Sequence, residues 1–326
     1  MPNEQLPLFP TRGKKTKRMQ PPRDDAPRAP EPSAEPLHAR SSLVAAITAY
    51  HAQMRRMNWS PHTIQAFGGD LNLFRQYIGD AIPINEITSA TIQKFLDWLR
   101  YERGVPCKPK SYQRRLTTLK GFFAWLKQMQ VIAEDPAAPI AHIPVTAPLP
   151  DILYDDQIAR LLEHARSLLR APKRDARPLL LVTLLLSTGI KKSETMAIRL
   201  RDLDTADPQN ATLFIRYDDV KKRFKERKLK LSPEFATTVP IYLEQYQPRE
   251  RLFECTARNL EYVLADLAQA TGLGKTLSFE SLRWTCAVQD YKNGMPEDQI
   301  RQKLGLTTIA WEEDGERLRR LAGKPL

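Results

Sequence analysis

The sequence predicts a mainly α-helical fold with a small β-sheet, divided between two domains. Three observations predict it. The 326 residues suffice for two packed domains and a tail. From Ser41 onward apolar residues recur at helical spacing through most of the chain. One stretch alone, "ATLFIRYDDVKKRFKERKLKLS", gathers β-type residues around a charged centre and reads as two or three short strands. A composition of 42% hydrophobic and 27% charged residues suits a soluble globular protein, and a formal net charge of +12 points to a polyanionic partner. Nucleic acid fits that charge best, because lysines and arginines that neutralise phosphates release condensed counterions.

Residues 1–40 stand apart as a disordered basic and proline-rich tail. "TRGKKTKRMQ" carries five basic residues, and "PPRDDAPRAPEPSAEP" has too little apolar surface to offset the entropy of ordering. Near its start, Gln5, Leu6, Leu8 and Phe9 in "QLPLF" resemble the short peptide with which bacterial proteins dock on the DNA polymerase sliding clamp. An incidental apolar start and a nonspecific DNA-binding arm remain as the other readings of this tail.

Residues 41–143 read as a helical domain. "SSLVAAITAYHAQMRRM" places Leu43, Ile47, Tyr50 and Met54 on one face after a serine cap. "SPHTIQAFGGDLNLFRQYIG" opens with Ser60 as cap and Pro61 at the first helical position. "TSATIQKFLDWLRYERG" has Thr88 or Ser89 as cap, an apolar face of Ile92, Phe95, Leu96 and Leu99, and Gly104 as terminator. The fourth helix, within "SYQRRLTTLKGFFAWLKQMQVIAEDPAAPI", is expected to run until Pro136 and Pro139 forbid continuation. Residues 144–152 read as an extended linker, marked by prolines 144, 148 and 150.

Residues 153–326 form the second domain. "YDDQIARLLEHARSLL" and "ARPLLLVTLLLSTG" read as helices, the strands follow, and helices return with "TARNLEYVLADLAQATGLG", "SFESLRWTCAVQDYKNG" and "PEDQIRQKLGL". "WEEDGERLRRLAG" closes the chain as a short amphipathic segment, a partner helix or, as we favour, a cap on its own domain. The longest apolar runs are too short to span a bilayer and no signal peptide opens the chain, so a cytoplasmic, nucleoid-associated protein without membrane contact is expected. Cys107, Cys255 and Cys286 form no ligand or disulfide pattern. No metal site, glycine-rich phosphate loop or organic cofactor is expected.

From about Ser41 to about Leu306 the chain resembles the tyrosine recombinases, the phage integrase family. "SPHTIQAFGGDLNLF" and "RRLTTLKGFFAWLKQMQVIAEDPA" resemble its helical, SAM-like core-binding domain. "LLLSTGIKKSETMAIRLRDLD", the lysine-bearing hairpin and "LSFESLRW" occur in the order and spacing of its catalytic domain. The resemblance implies two domains closing on duplex DNA. It also implies a tyrosine that attacks a phosphodiester, two arginines on the nonbridging oxygens, a hairpin lysine that helps the leaving oxygen, and two assisting histidines.

Carried over position by position, the family site changes. Lys191 stands where the first arginine belongs, keeping a point charge but losing the two-pronged fork. "KER" at Lys225, Glu226 and Arg227 places the hairpin lysine at Lys222; with Lys221, Arg223 and Lys228 nearby, a register shifted by one residue stays open. In "ESLRW", Arg283 is retained and Glu280 replaces a histidine; a Glu280 to Lys191 ion pair would relieve its repulsion of a phosphate. Leu306 takes the second histidine's place, and all five histidines lie at or before His164. The nucleophile's position, nine residues on, is Gly315, and no tyrosine follows Tyr291, which reads as a core or surface residue.

These changes predict that strand transfer is lost and that the chain is not an enzyme but a degenerate, recombinase-like protein binding double-stranded DNA. It would serve as an architectural, regulatory or target-site factor, for example of a mobile element. The expected phosphate contacts are Lys191, Lys192, Lys221, Lys222, Arg223, Lys225, Arg227 and Arg283, with Lys108, Lys110, Arg114, Arg115 and Lys120 from the first domain. The alternatives are a subunit of an active recombination complex, with an active recombinase or transposition proteins as partners, and a DNA-binding factor docked on the sliding clamp.

Overall fold

The computed structural model describes residues 36–105, 107–142, 148–274 and 277–323. They fall into two compact units that divide between Thr146 and Ala147. The first unit holds helices α1 (Leu43–Arg56), α2 (Pro61–Ile78), α3 (Ser89–Tyr101) and α4 (Pro109–Gln128). Side-chain oxygens of Ser42, Ser60 and Thr88 accept N–H groups of the first turns of α1, α2 and α3. Those groups would otherwise lack partners. The apolar stripes meet in one core that includes Leu43, Tyr50, Leu71, Phe74, Phe95, Phe122 and Phe123, where the Phe74 and Phe95 rings pack edge to face 5.0 Å apart.

The fourth helix starts earlier and stops earlier than its prolines require. Pro109 occupies the first turn, and the helix ends at Gln128, before Gln130 takes a positive φ of 57°. There the Val131 N–H turns back to the Leu126 carbonyl, so a left-handed C-terminal turn ends the helix before Pro136 can.

The second unit packs around α6 (Arg177–Thr188), buried along nearly its whole length as its uniformly apolar sequence demands. Against it lie α5 (Asp155–Arg170), α8 (Pro233–Tyr246), α9 (Ala257–Ala270) and α10 (Phe279–Lys292). The single-turn α7 (Lys192–Thr195) follows α6. Strands β1 (Leu203–Asp204), β2 (Thr212–Ile215) and β3 (Arg227–Lys230) form an antiparallel sheet in chain order, with Leu213 opposite Leu229 and Ile215 opposite Arg227. A 3₁₀ turn, Val220–Lys225, forms the tip of the β2–β3 hairpin.

Helix α8 is not apparent in the sequence pattern, because Pro240 lies inside it; Ser232 as cap and Pro233 in the first turn set its start.

A satellite core joins α10 to α11 (Glu297–Lys303) and α12 (Thr308–Ala322) through Trp284, Val288, Ile300, Leu304, Leu318 and Leu321. Helix α12 therefore caps its own unit, and the Arg319–Glu297 ion pair at 2.8 Å ties it to α11. Ile152 is buried in this core and Leu149 packs on it, so the unit's packing begins upstream of Leu153. Among the described residues no helix is long and apolar enough to cross a membrane.

Candidate nucleic-acid interface

Glu194, in α7, organises the candidate site. Its side chain is 2% exposed, and both carboxylate oxygens take part in an ion pair with Arg227 of β3, Oε1 accepting from Nη1 at 3.0 Å and Oε2 from Nη2 at 3.1 Å. It also accepts the Lys191 backbone N–H at 2.8 Å and a short hydrogen bond from the Tyr217 hydroxyl. Burial alone would raise the Glu194 pKa; the hydrogen bonds and charge of Arg227, with the other two donors, outweigh it and hold the carboxyl below its usual range. Burial and the bond to Glu194 push the Tyr217 hydroxyl up to about 12, so it stays a donor.

Gly189 ends α6 in the left-handed conformation, φ 60°, which glycine adopts without strain. A Cβ at that position would stand 2.9 Å from Leu304 Cδ2, so the close packing of α6 on the α11 end requires glycine as well. The next residue but one is Lys191, half-buried, with no hydrogen bond or ion pair to its ammonium among the described residues. Burial lowers its pKa; Arg283, Lys225 and Arg227 lower it further, and only Glu194 opposes them. Cationic side chains from α10 and the hairpin thus bear on this ammonium, and the one carboxylate that opposes them, Glu194, is bound to Arg227.

Arg283 is 9% exposed. Its Nη1 donates to the Gly189 carbonyl and its Nη2 to the Leu304 carbonyl at 2.8 Å, while Arg227 Nε donates to the Lys303 carbonyl at 2.7 Å. The two arginines therefore brace the 303–305 turn against the site. Burial lowers the Arg283 pKa despite the nearby Glu194.

The predicted positions separate on this geometry. Lys191 and Arg283 come together, with Lys225 and Arg227 as the hairpin cations whose charge is felt at Lys191. Lys222 instead lies exposed in the 3₁₀ turn, 3.3 Å from Asp219, because that turn folds back on its own aspartate. The Glu280 to Lys191 ion pair does not form: Glu280 is exposed at the start of α10 and makes no ion pair among the described residues. Leu306 is half-buried in the satellite core. Gly315 is buried on α12 against Trp311, whose Nε1 would stand 3.0 Å from a Cβ there. Its neighbour Asp314 accepts from Arg317 at 2.8 Å, and burial raises its pKa. Tyr291 lies on α10, packed against the satellite core.

Several expected phosphate contacts are already committed within the protein. Arg227 serves Glu194, and Lys192 pairs with Glu261 at 2.8 Å on the surface. In the first unit, Arg114 donates to the buried Asp70 at 2.5 Å and Arg115 lies 3.6 Å from it. Thr118 completes the set at 3.0 Å, which joins α2 to α4. Lys120 donates to the Ala138 carbonyl. Among the described residues, Lys108, Lys110, Lys191, Lys221, Arg223 and Lys225 carry no carboxylate partner. Glu194, Tyr217 and Asp70 were missed as site or framing residues. Glu194 alone left a signal, in the "KSE" that follows Ile190 and Lys191. Gln5, Leu6, Leu8 and Phe9 lie outside the described residues.

Comparisons with known proteins agree with this architecture. Residues 47–130 match the family model described as phage integrase, N-terminal SAM-like domain, and residues 151–311 match that of the phage integrase family. Tyrosine recombinase XerC of Oceanobacillus iheyensis is 28% identical over 211 residues, 63% of each chain. XerC of Xanthomonas campestris pv. campestris is 32% identical over 188 residues, 56% of each chain. The alignments thus span less than two thirds of these relatives. XerC of Staphylococcus carnosus is 25% identical over 77% of this chain and 85% of its own.

Among solved structures, a lambda integrase dimer bound to a COC′ core site superposes with a TM-score of 0.68 at 15% identity, covering 87% of this chain and 79% of that one. XerH bound to difH gives 0.63 at 17% identity, with 85% and 81% covered. These likenesses show the two-domain recombinase fold. The expectation that the chain is not an enzyme is corrected here, because the curated relatives carry the name of an enzyme, tyrosine recombinase.

Proposed function

The chain belongs to the phage integrase family of tyrosine recombinases, and from that premise we propose that it binds duplex DNA as a subunit of a site-specific recombination assembly. The observation that carries this reading is Lys191, two residues from the Gly189 carbonyl that holds Arg283, with no ion pair to its ammonium among the described residues and with Glu194, the carboxylate felt there, already paired to Arg227. A protein group in that position gains from an anion, and a DNA phosphate supplies one. Lys191 would then neutralise one nonbridging oxygen as a point charge. Arg283, braced by two carbonyls, would hold its remaining N–H donors toward the same phosphate. The attacking phenol of a tyrosine mechanism would come from elsewhere, since Gly315 stands at the position where the resemblance places it.

The test is a nicked duplex that traps the covalent protein–DNA intermediate, incubated with an intact tyrosine recombinase from the same host, with and without this chain. The expected result is a larger adduct yield when the chain is present, and loss of that gain in Lys191→Ala. An adduct yield indifferent to the chain would contradict membership of the assembly.

A further inference from the structure

We propose that the β2–β3 hairpin tip is a minor-groove wedge, with Phe224 as the apolar group that seats against a base step of duplex DNA. The inference rests on the DNA-binding reading above and adds a residue and a groove to it. The 3₁₀ turn that forms the tip buries none of its six residues, and Phe224 is 70% and Val220 69% exposed. An aromatic ring left in water forgoes the burial that ordinarily stabilises a fold. Its only ring partner among the described residues is Lys225, whose Nζ lies 5.3 Å from the centroid.

The charge around the ring selects the occupant. Lys221, Arg223 and Lys225 flank it without carboxylate partners among the described residues. The carboxylates nearby are all engaged: Asp218 with Arg199 at 3.1 Å, Asp219 with the Lys221 N–H at 3.0 Å and with Lys222, and Glu226 with the Tyr217 N–H at 3.0 Å. The Lys222–Asp219 pair is about half exposed, so a phosphate can replace its weak attraction. An apolar side chain between open cations is the combination with which proteins enter the minor groove, the cations meeting phosphates and the wedge partly unstacking a step. Ile309, 81% exposed, has no charged residue within two positions and so lacks this setting.

The experiment uses the full chain and short mixed-sequence duplexes with 2-aminopurine placed at successive steps, together with the matching single strands. The wild type should raise 2-aminopurine fluorescence at one or two adjacent steps. Phe224→Ala should abolish that rise and weaken duplex binding on the order of tenfold, without changing its salt dependence. Phe224→Trp should retain both. Because the ring is exposed, neither variant removes packing the fold depends on. Duplex binding that is unchanged in Phe224→Ala overturns the wedge alone. A loss confined to single strands overturns it in favour of stacking on unpaired bases. Failure of the wild type to bind duplex overturns the wedge and the functional reading together.

Discussion

Glu194→Gln destabilises the second unit by about 3–5 kcal/mol near neutral pH, the cost of leaving one partner of a buried ion pair uncompensated. For a domain of this size the midpoint of thermal unfolding falls on the order of 10 °C. Arg227, whose side chain is 10% exposed, would lose its anion, and the Lys191 N–H and Tyr217 hydroxyl would lose a charged acceptor. The sign of the pH dependence follows from the direction of the shift. The folded-state pKa of Glu194 is depressed, so its contribution is fully present above the unfolded carboxyl value, about 4.3, and is lost as pH falls through the folded value. Thermal scans across acid pH should therefore show wild type and variant converging. A constant gap down to the acid limit would mean that the ion pair does not set the difference.

Arg283→Met destabilises by about 3 kcal/mol, although the substitution keeps an apolar stem of similar length. The Gly189 and Leu304 carbonyls each lose a donor in a buried setting, where an unsatisfied polar group costs about 1–3 kcal/mol. Relief of the buried guanidinium's desolvation opposes part of this, which keeps the estimate below the simple sum. Arg283→Lys should recover some of the loss, since an ammonium keeps the charge and donors but lacks the planar fork that serves the two carbonyls from separate nitrogens. Chemical denaturation of the three proteins checks the order. Equal stability of Arg283→Met and wild type would remove the brace from the account.

Both effects involve contacts that the sequence could not display. Helix caps are local, so Ser42, Ser60 and Thr88 were legible as starts, and the apolar stripes gave the cores. Helix α8 was hidden by Pro240, and the end of α4 by a positive-φ glutamine that no motif marks. In the site, Lys191 and Arg283 could be read from their motifs, whereas the partners that decide which cations stay open are distant in the chain. Asp70 and Arg114 are 44 residues apart, and Glu194 and Arg227 are 33 apart. Charge composition announced a polyanion partner. It could not reveal that Arg227, Arg114 and Arg115 are drawn inward by carboxylates while Lys221, Arg223 and Lys225 are left outside.

That division makes a count. Of the expected phosphate contacts, Lys108, Lys110, Lys191, Lys221, Arg223 and Lys225 are open to an anion, and each phosphate neutralised on duplex DNA contributes about −0.9 to the slope of log K against log salt. The most direct test is a titration of the full chain with duplex DNA across a salt series. The expected slope from these six is about −5, equivalent to a loss of affinity on the order of a thousandfold between about 50 and 200 mM salt. Lys191→Ala should flatten the slope by about one. A nearly flat dependence, or no binding to duplex at low salt, would contradict it.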